Sequence, residues 1–219
     1  MQQGKIRIKV CGITRLEDAL YAVKAGVDAL GFIFHRPSPR YIEPENVRYI
    51  IDRLPPFINT VGVFVDKKRS EVEEIIDYCG LDYAQLHGDE SPKYCERLLR
   101  VAAPCHLIKA FRVGPRTTAE AFVPYTPFVK AFLLDTYDRA LAGGTGRSFD
   151  WSIIATLGLA RPFILAGGLS PDNVADAVRA ARPSFLDVSS GVEESPGVKD
   201  HRLISGFVHA VRQVEKPVD

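Results

Sequence analysis

Two side chains in this 219-residue sequence carry proton chemistry at the ends of apolar runs. Asp135 closes the run Ala131-Phe-Leu-Leu134, and after a polar connector comes Gly143-Gly144-Thr145-Gly146. Cys11 closes Ile6–Val10 and stands beside Gly12 ahead of a helix start, a setting that favours a thiolate. A carboxyl and a thiol on either side of a ligand could protonate an oxygen while taking a proton from carbon. Taken alone, Cys11 also reads as a small buried hydrophobe.

Three glycine turns come with these groups. Gly144 and Gly146, Gly167-Gly168, and Ser190-Gly191 can each bring backbone N–H groups against an anion with no side chain in the way. Any one of them could simply shape a tight turn. Three at successive strand ends point to a phosphate. Arg40, in the loop HRPSPRY, offers a planar fork for a carboxylate, the plain alternative being a solvated loop arginine. Lys9 shares a face with Cys11, and a lone buried ammonium would be costly. It is therefore expected to contact Asp187 in the last strand, holding the barrel together or favouring the Cys11 thiolate. Asp187 is also a candidate substrate contact.

These residues need elements that bring them together. Apolar runs at Ile6–Cys11, Ala29–Phe34, Thr60–Val65, Tyr83–Leu86, His106–Phe111, Ala131–Leu134, Phe163–Ala166 and Phe185–Val188 read as strands. Helical periodicity follows each of them. The spacing predicts helices over Leu16–Ala25 (Thr14 as cap, Gly26 as stop), Glu45–Leu54, Ser70–Cys79 (stopped by Gly80) and Ser91 to about Arg100. Further helices are predicted at Thr118–Val123 (ended by Pro124), Phe149–Leu157, Ser170-Pro171 through Ala181, and Leu203–Val214. Strands joined through helices run parallel, and eight of them close into a single-domain (β/α)8 TIM barrel over residues 1–219. An open doubly wound sheet is the alternative, but there is no early G-x-G-x-x-G. The active site of a barrel lies at the C-terminal strand ends, here Cys11, His35, Asp66, His87, Arg112, Asp135, Gly167-Gly168 and Ser190-Gly191. Arg40 is expected across the mouth from the phosphate turns.

A net charge of +1 gives no bias toward nucleic acid or a membrane surface, and no apolar run is long enough to span a bilayer. Neither a signal peptide nor a C-x-x-C pair is evident, so a cytoplasmic protein with four reduced cysteines and no structural zinc is expected. The pattern is consistent with a monomer or a homodimer.

Several motifs, taken together, resemble the phosphoribosylanthranilate isomerase family. They are Lys9-Val-Cys-Gly-Ile-Thr14, Gly31-Phe-Ile-Phe34 with Ser38-Pro-Arg-Tyr-Ile42, Val61–Val65, Gln85-Leu-His-Gly88, Leu134-Asp-Thr136 with Gly143–Gly146, Leu165–Leu169 with Pro171–Val174, and Asp187–Glu193 with Lys199-Asp200. The resemblance implies an Amadori rearrangement in tryptophan biosynthesis, without metal or organic cofactor, on a small phosphorylated substrate. By motif it implies that Cys11 is the general base, Asp135 the general acid and Arg40 the holder of the anthranilate carboxylate. Asp135 must then be protonated when substrate is bound, and Cys11 available as thiolate. His87 reads as a hydrogen-bonding strand-end residue rather than a catalytic one. Three rivals remain from the residues. One is a metal-dependent phosphosugar epimerase through His35, Asp66, His87 and Asp135; another is a Schiff-base aldolase through Lys109; the third is a non-catalytic barrel binding a phosphorylated ligand.

Overall fold

In the computed structural model, residues 5–136, 151–155 and 157–215 are described. Eight strands form the centre: β1 (Arg7–Cys11), β2 (Ala29–Ile33), β3 (Asn59–Phe64), β4 (Tyr83–Leu86), β5 (His106–Arg112), β6 (Ala131–Asp135), β7 (Phe163–Ala166) and β8 (Phe185–Val188). Each pairs in parallel with the next, and β8 pairs with β1 to close the barrel. Alternation along the strands separates two apolar layers. Val61, Ile108, Ala110, Ala131, Leu133, Ile164 and Ala166 fill the interior. Leu30, Phe32, Leu107, Phe132, Leu134 and Leu186 pack outward under the helices. Burial on both faces is why the strands read as nearly unbroken apolar runs.

The helices are α1 (Leu16–Ala25), α2 (Pro44–Ile51), α3 (Arg69–Cys79), α4 (Pro92–Leu99), α5 (Ser152–Ala155), α6 (Val174–Ala181) and α7 (His201–Val214). Gly26 and Gly80 terminate α1 and α3 in the left-handed conformation, with φ of 95° and 68°. Ser91 caps α4 by accepting from the Tyr94 amide at 3.2 Å. Thr14 does not cap α1. Its hydroxyl donates to the Gly197 carbonyl, and Arg15 takes the cap position while its guanidinium grips Asp18.

Ser170 is likewise displaced as a cap. Asn173 occupies that position, its Oδ1 accepting from the Ser170 amide at 2.8 Å, so α6 begins three residues after Pro171. Between β5 and β6 the expected helix is replaced by two 3-10 turns, Ala119–Ala121 and Val123–Tyr125, and Pro124 sits inside the second. A proline is tolerated in a first turn because its missing N–H would be unpaired there anyway. After β8 come a 3-10 turn (Ser190–Val192) and a small hairpin, β9 (Glu193–Ser195) with β10 (Val198–Lys199), before Asp200 caps α7. The hairpin is short and polar, so no hydrophobic pattern announces it. Among the described residues no helix is long and apolar enough to cross a membrane.

Candidate active site

The end of β1 holds a buried charged group. Lys9 and Asp187 face each other in register across β1 and β8, and Lys9 Nζ donates to both carboxylate oxygens at 2.9 Å. The expected contact is therefore present. Cys11, one inward position further, is 6% exposed. Opposite it on β2, a Cβ at Gly31 would come within 2.8 Å of Cys11 Sγ and 2.9 Å of Lys9 Cε. Glycine is required there to leave room for the thiol and the ammonium together.

Burial pushes the Cys11 thiol up and Asp187 adds to this; the Lys9 ammonium pulls it down, and the balance lies above the ordinary thiol value. Burial there outweighs the neighbouring lysine, so the free site opposes the thiolate that the strand-end setting favours. For Lys9, burial pulls the ammonium down, but Asp187 and Cys11 raise it further, so it stays charged. Lys9→Met would leave Asp187 buried without its counter-charge. A loss of about 3 kcal/mol in chemical denaturation is expected, and an unchanged midpoint would show the pair to be dispensable.

Asp135 lies at the end of β6 on the interior face it shares with Ala131 and Leu133. His87, just beyond β4, approaches it with Nε2 3.5 Å from Asp135 Oδ2, both side chains partly exposed at the mouth. The other ring nitrogen is 3.0 Å from Gln85 Nε2. Lys109 points the other way, on the outward face with Leu107. Its Nζ donates to the carbonyls of Gly88 at 2.7 Å, Ala110 at 3.1 Å and Leu86 at 3.2 Å, and pairs with Glu90. Such a lysine cannot reach a ligand in the mouth, and the aldolase reading falls. The epimerase reading fares no better. Asp66 Oδ1 is turned to the Asp89 amide, and among the described residues no three His, Cys, Asp or Glu side chains converge on a metal position.

Arg40 is not across the mouth from the eighth-strand turn. The loop after β2 folds back over Gly12, whose φ is +78° and where a Cβ would lie 2.7 Å from Arg40 Cδ. Arg40 thereby reaches Glu193, with Nε at 2.9 and 3.0 Å and Nη2 at 2.6 Å from the carboxylate. Glu193 also accepts from Lys199 Nζ at 2.7 Å. Gly31, Glu193 and Lys199 fall within the motifs named above, but sequence alone assigned none of them a role. The signal that a buried lysine demands a carboxylate partner was present in Lys199, but its burial was not visible.

Of the three glycine turns, two are placed side by side. Gly167 and Gly168 are left-handed, at φ 93° and 64°, and a Cβ on Gly168 would meet open space. At Gly191 a Cβ would fall 1.9 Å from the Leu169 carbonyl, so glycine lets the turn after β8 pack directly on the turn after β7. The ladder between β7 and β8 stops at Leu165–Leu186, below these turns. Gly144 and Gly146 lie outside the described residues. A separate cavity of about 520 Å3, lined by Arg7, Lys130, Ile164, Arg182 and Phe185 among others, opens at the opposite end of the strands.

Known proteins share the sequence and the barrel of this chain. Residues 8–210 match the family described as N-(5'-phosphoribosyl)anthranilate (PRA) isomerase. The protein named N-(5'-phosphoribosyl)anthranilate isomerase from Pseudomonas fluorescens (strain Pf0-1) is 50% identical over 207 residues, 94% of this chain and 98% of that one. The crystal structure of phosphoribosyl anthranilate isomerase from Thermotoga maritima is 42% identical, with a TM-score of 0.85 over 95% of this chain and 99% of its own. A second such structure, in complex with reduced 1-(o-carboxyphenylamino)-1-deoxyribulose 5-phosphate, is 39% identical, with a TM-score of 0.81 and the same coverage.

Proposed function

The chain belongs to the N-(5'-phosphoribosyl)anthranilate isomerase family, and from that premise we propose which of its groups carry the reaction. The enzyme converts N-(5'-phosphoribosyl)anthranilate to 1-(2-carboxyphenylamino)-1-deoxyribulose 5-phosphate in tryptophan biosynthesis. Asp135 protonates the furanose ring oxygen, and the sugar opens to an iminium. Cys11, as thiolate, then takes the proton from C2, and the resulting enolamine tautomerises to the ketone. Lys9 favours that thiolate, since its ammonium lies beside the sulfur and remains charged. The reaction needs no electron transfer and no external Lewis acid, so we assign neither metal nor organic cofactor.

The observation that carries this reading is the placement of Cys11 and Asp135 on inward positions at the same end of one closed barrel. The phosphate is assigned to the turns Gly167-Gly168 and Ser190-Gly191, where the β7–β8 ladder has already ended, with Gly144 and Gly146 as the third clamp. Asp187 is assigned to a substrate hydroxyl through a carboxylate already fixed by Lys9. Arg40 is assigned to the anthranilate carboxylate. Four free, buried cysteines support a cytoplasmic location.

The direct test is fluorescence-monitored consumption of phosphoribosylanthranilate by the purified chain with excess chelator present. Turnover undiminished by chelator is expected, and binding without turnover would instead support a non-catalytic barrel. Arg40→Ala should raise KM about 10- to 100-fold, the worth of a charge-assisted fork, with kcat within a few-fold. A variant losing kcat alone would place Arg40 elsewhere in the mechanism.

A further inference from the structure

We propose that Glu193, in the hairpin after β8, is a positioning residue that presents Arg40 to the substrate carboxylate and ties that contact to the Cys11 and phosphate ends of the site. The inference rests on the assignment of Arg40 above. A guanidinium has a side edge, Nε with one Nη, and an end edge formed by the two Nη groups. Glu193 occupies the side edge of Arg40 with three contacts between 2.6 and 3.0 Å. Nη1 has no hydrogen-bond partner among the described residues, so the end edge is the one offered to a ligand. The arginine is 21% exposed and its carboxylate partner 4%, which leaves Arg40 accessible while its anchor is dry.

The anchor is itself anchored. Lys199, whose side chain is fully buried, donates to Glu193 at 2.7 Å, to the Cys11 carbonyl at 2.6 Å and to the Ser189 carbonyl at 3.2 Å. One carboxylate thus connects the loop bearing Arg40, the end of β1 bearing the base, and the turn that leads into Ser190-Gly191. Burial opposes the Glu193 charge, but Arg40 and Lys199 hold its carboxyl below the ordinary range, so it is ionised. Without this anchor the long arginine side chain would have to surrender rotamer freedom when substrate binds. With it, much of that ordering is already present before binding, which is what preorganisation contributes to affinity.

The test is a kinetic cycle on the full chain with phosphoribosylanthranilate. Glu193→Gln keeps the shape and weakens both ion pairs; Glu193→Asp keeps the charge opposite Lys199 and withdraws it from Arg40. KM is expected to rise about tenfold in Glu193→Gln and by a smaller factor in Glu193→Asp, with kcat within about threefold in both. In an Arg40→Ala background the Glu193→Gln effect should vanish, because the residue acts through the guanidinium. If Glu193→Gln does not fold, Glu193→Asp against Arg40→Ala decides. An additive effect, an unchanged KM, or a lower KM showing that Glu193 competes with substrate would overturn the inference while Arg40→Ala still raises KM. No effect of Arg40→Ala itself would instead remove the assignment on which the inference stands.

Discussion

Asp135→Asn should lower kcat by about 10²- to 10⁴-fold, the range of a positioned general acid, while substrate binding is kept. Asparagine preserves the shape and the strand end but has no proton to give to the ring oxygen. The barrel around the residue should be unaffected, since Asp135 lies at the partly exposed rim, not in the packed interior below it. The ring-opened iminium is reached only after protonation, so loss of the acid should block the first chemical step. The measurement is steady-state turnover paired with substrate-analogue binding. A variant that keeps kcat would remove Asp135 from the mechanism, and one that loses binding in step with kcat would make it a substrate contact only.

Cys11→Ser is expected to cost a similar factor, about 10² to 10⁴ in kcat, because a hydroxyl beside Lys9 remains a far weaker base than a thiolate at neutral pH. The burial that raises the Cys11 thiol adds a second expectation, independent of turnover. Iodoacetamide labelling of Cys11 in the free enzyme, followed residue by residue by mass spectrometry, should be slower at neutral pH than labelling of free cysteine. It should climb with pH past the ordinary thiol range, because the thiolate is the nucleophile and the folded protein disfavours it. Rapid labelling at neutral pH would mean that Lys9 outweighs burial. The two substitutions separate the steps: the acid variant stops before ring opening, the base variant after it. Neither should abolish binding, since Arg40 and the glycine turns are unchanged in both.

The parallel between groups that titrate and groups that only hold others is clearest at the lysines. Lys9, Lys109 and Lys199 are all buried, and each has a carboxylate partner: Asp187, Glu90 and Glu193. Lys9 stands beside the base. Lys109 braces the backbone that carries His87. Lys199 fixes the carboxylate beneath Arg40. Buried ammonium groups are tolerable only with such partners, and the partner decides which rim segment each one steadies.

Much of the architecture was legible in the chain alone. Strands buried on both faces are apolar along their length, and glycines such as Gly26 and Gly80 mark where helices stop, so eight units could be counted and a closed parallel barrel inferred. Cys11 and Asp135 could be placed at strand ends, and Lys9 could be matched to Asp187, because alternation along a strand and the cost of a lone buried charge are local rules. Local rules failed where a cap or turn depends on a distant partner. Thr14 was drawn to Gly197 rather than to its own helix. The hairpin carrying Glu193 and Lys199, the fold-back of Arg40 over Gly12, and the need for glycine at Gly31 were decided only by tertiary structure. Each depends on how closely residues far apart in the sequence approach, and on whether the space between them excludes water. The upward push on the Cys11 thiol belongs with these, because burial competes there with a lysine that lowers it and adds to an aspartate from the neighbouring strand.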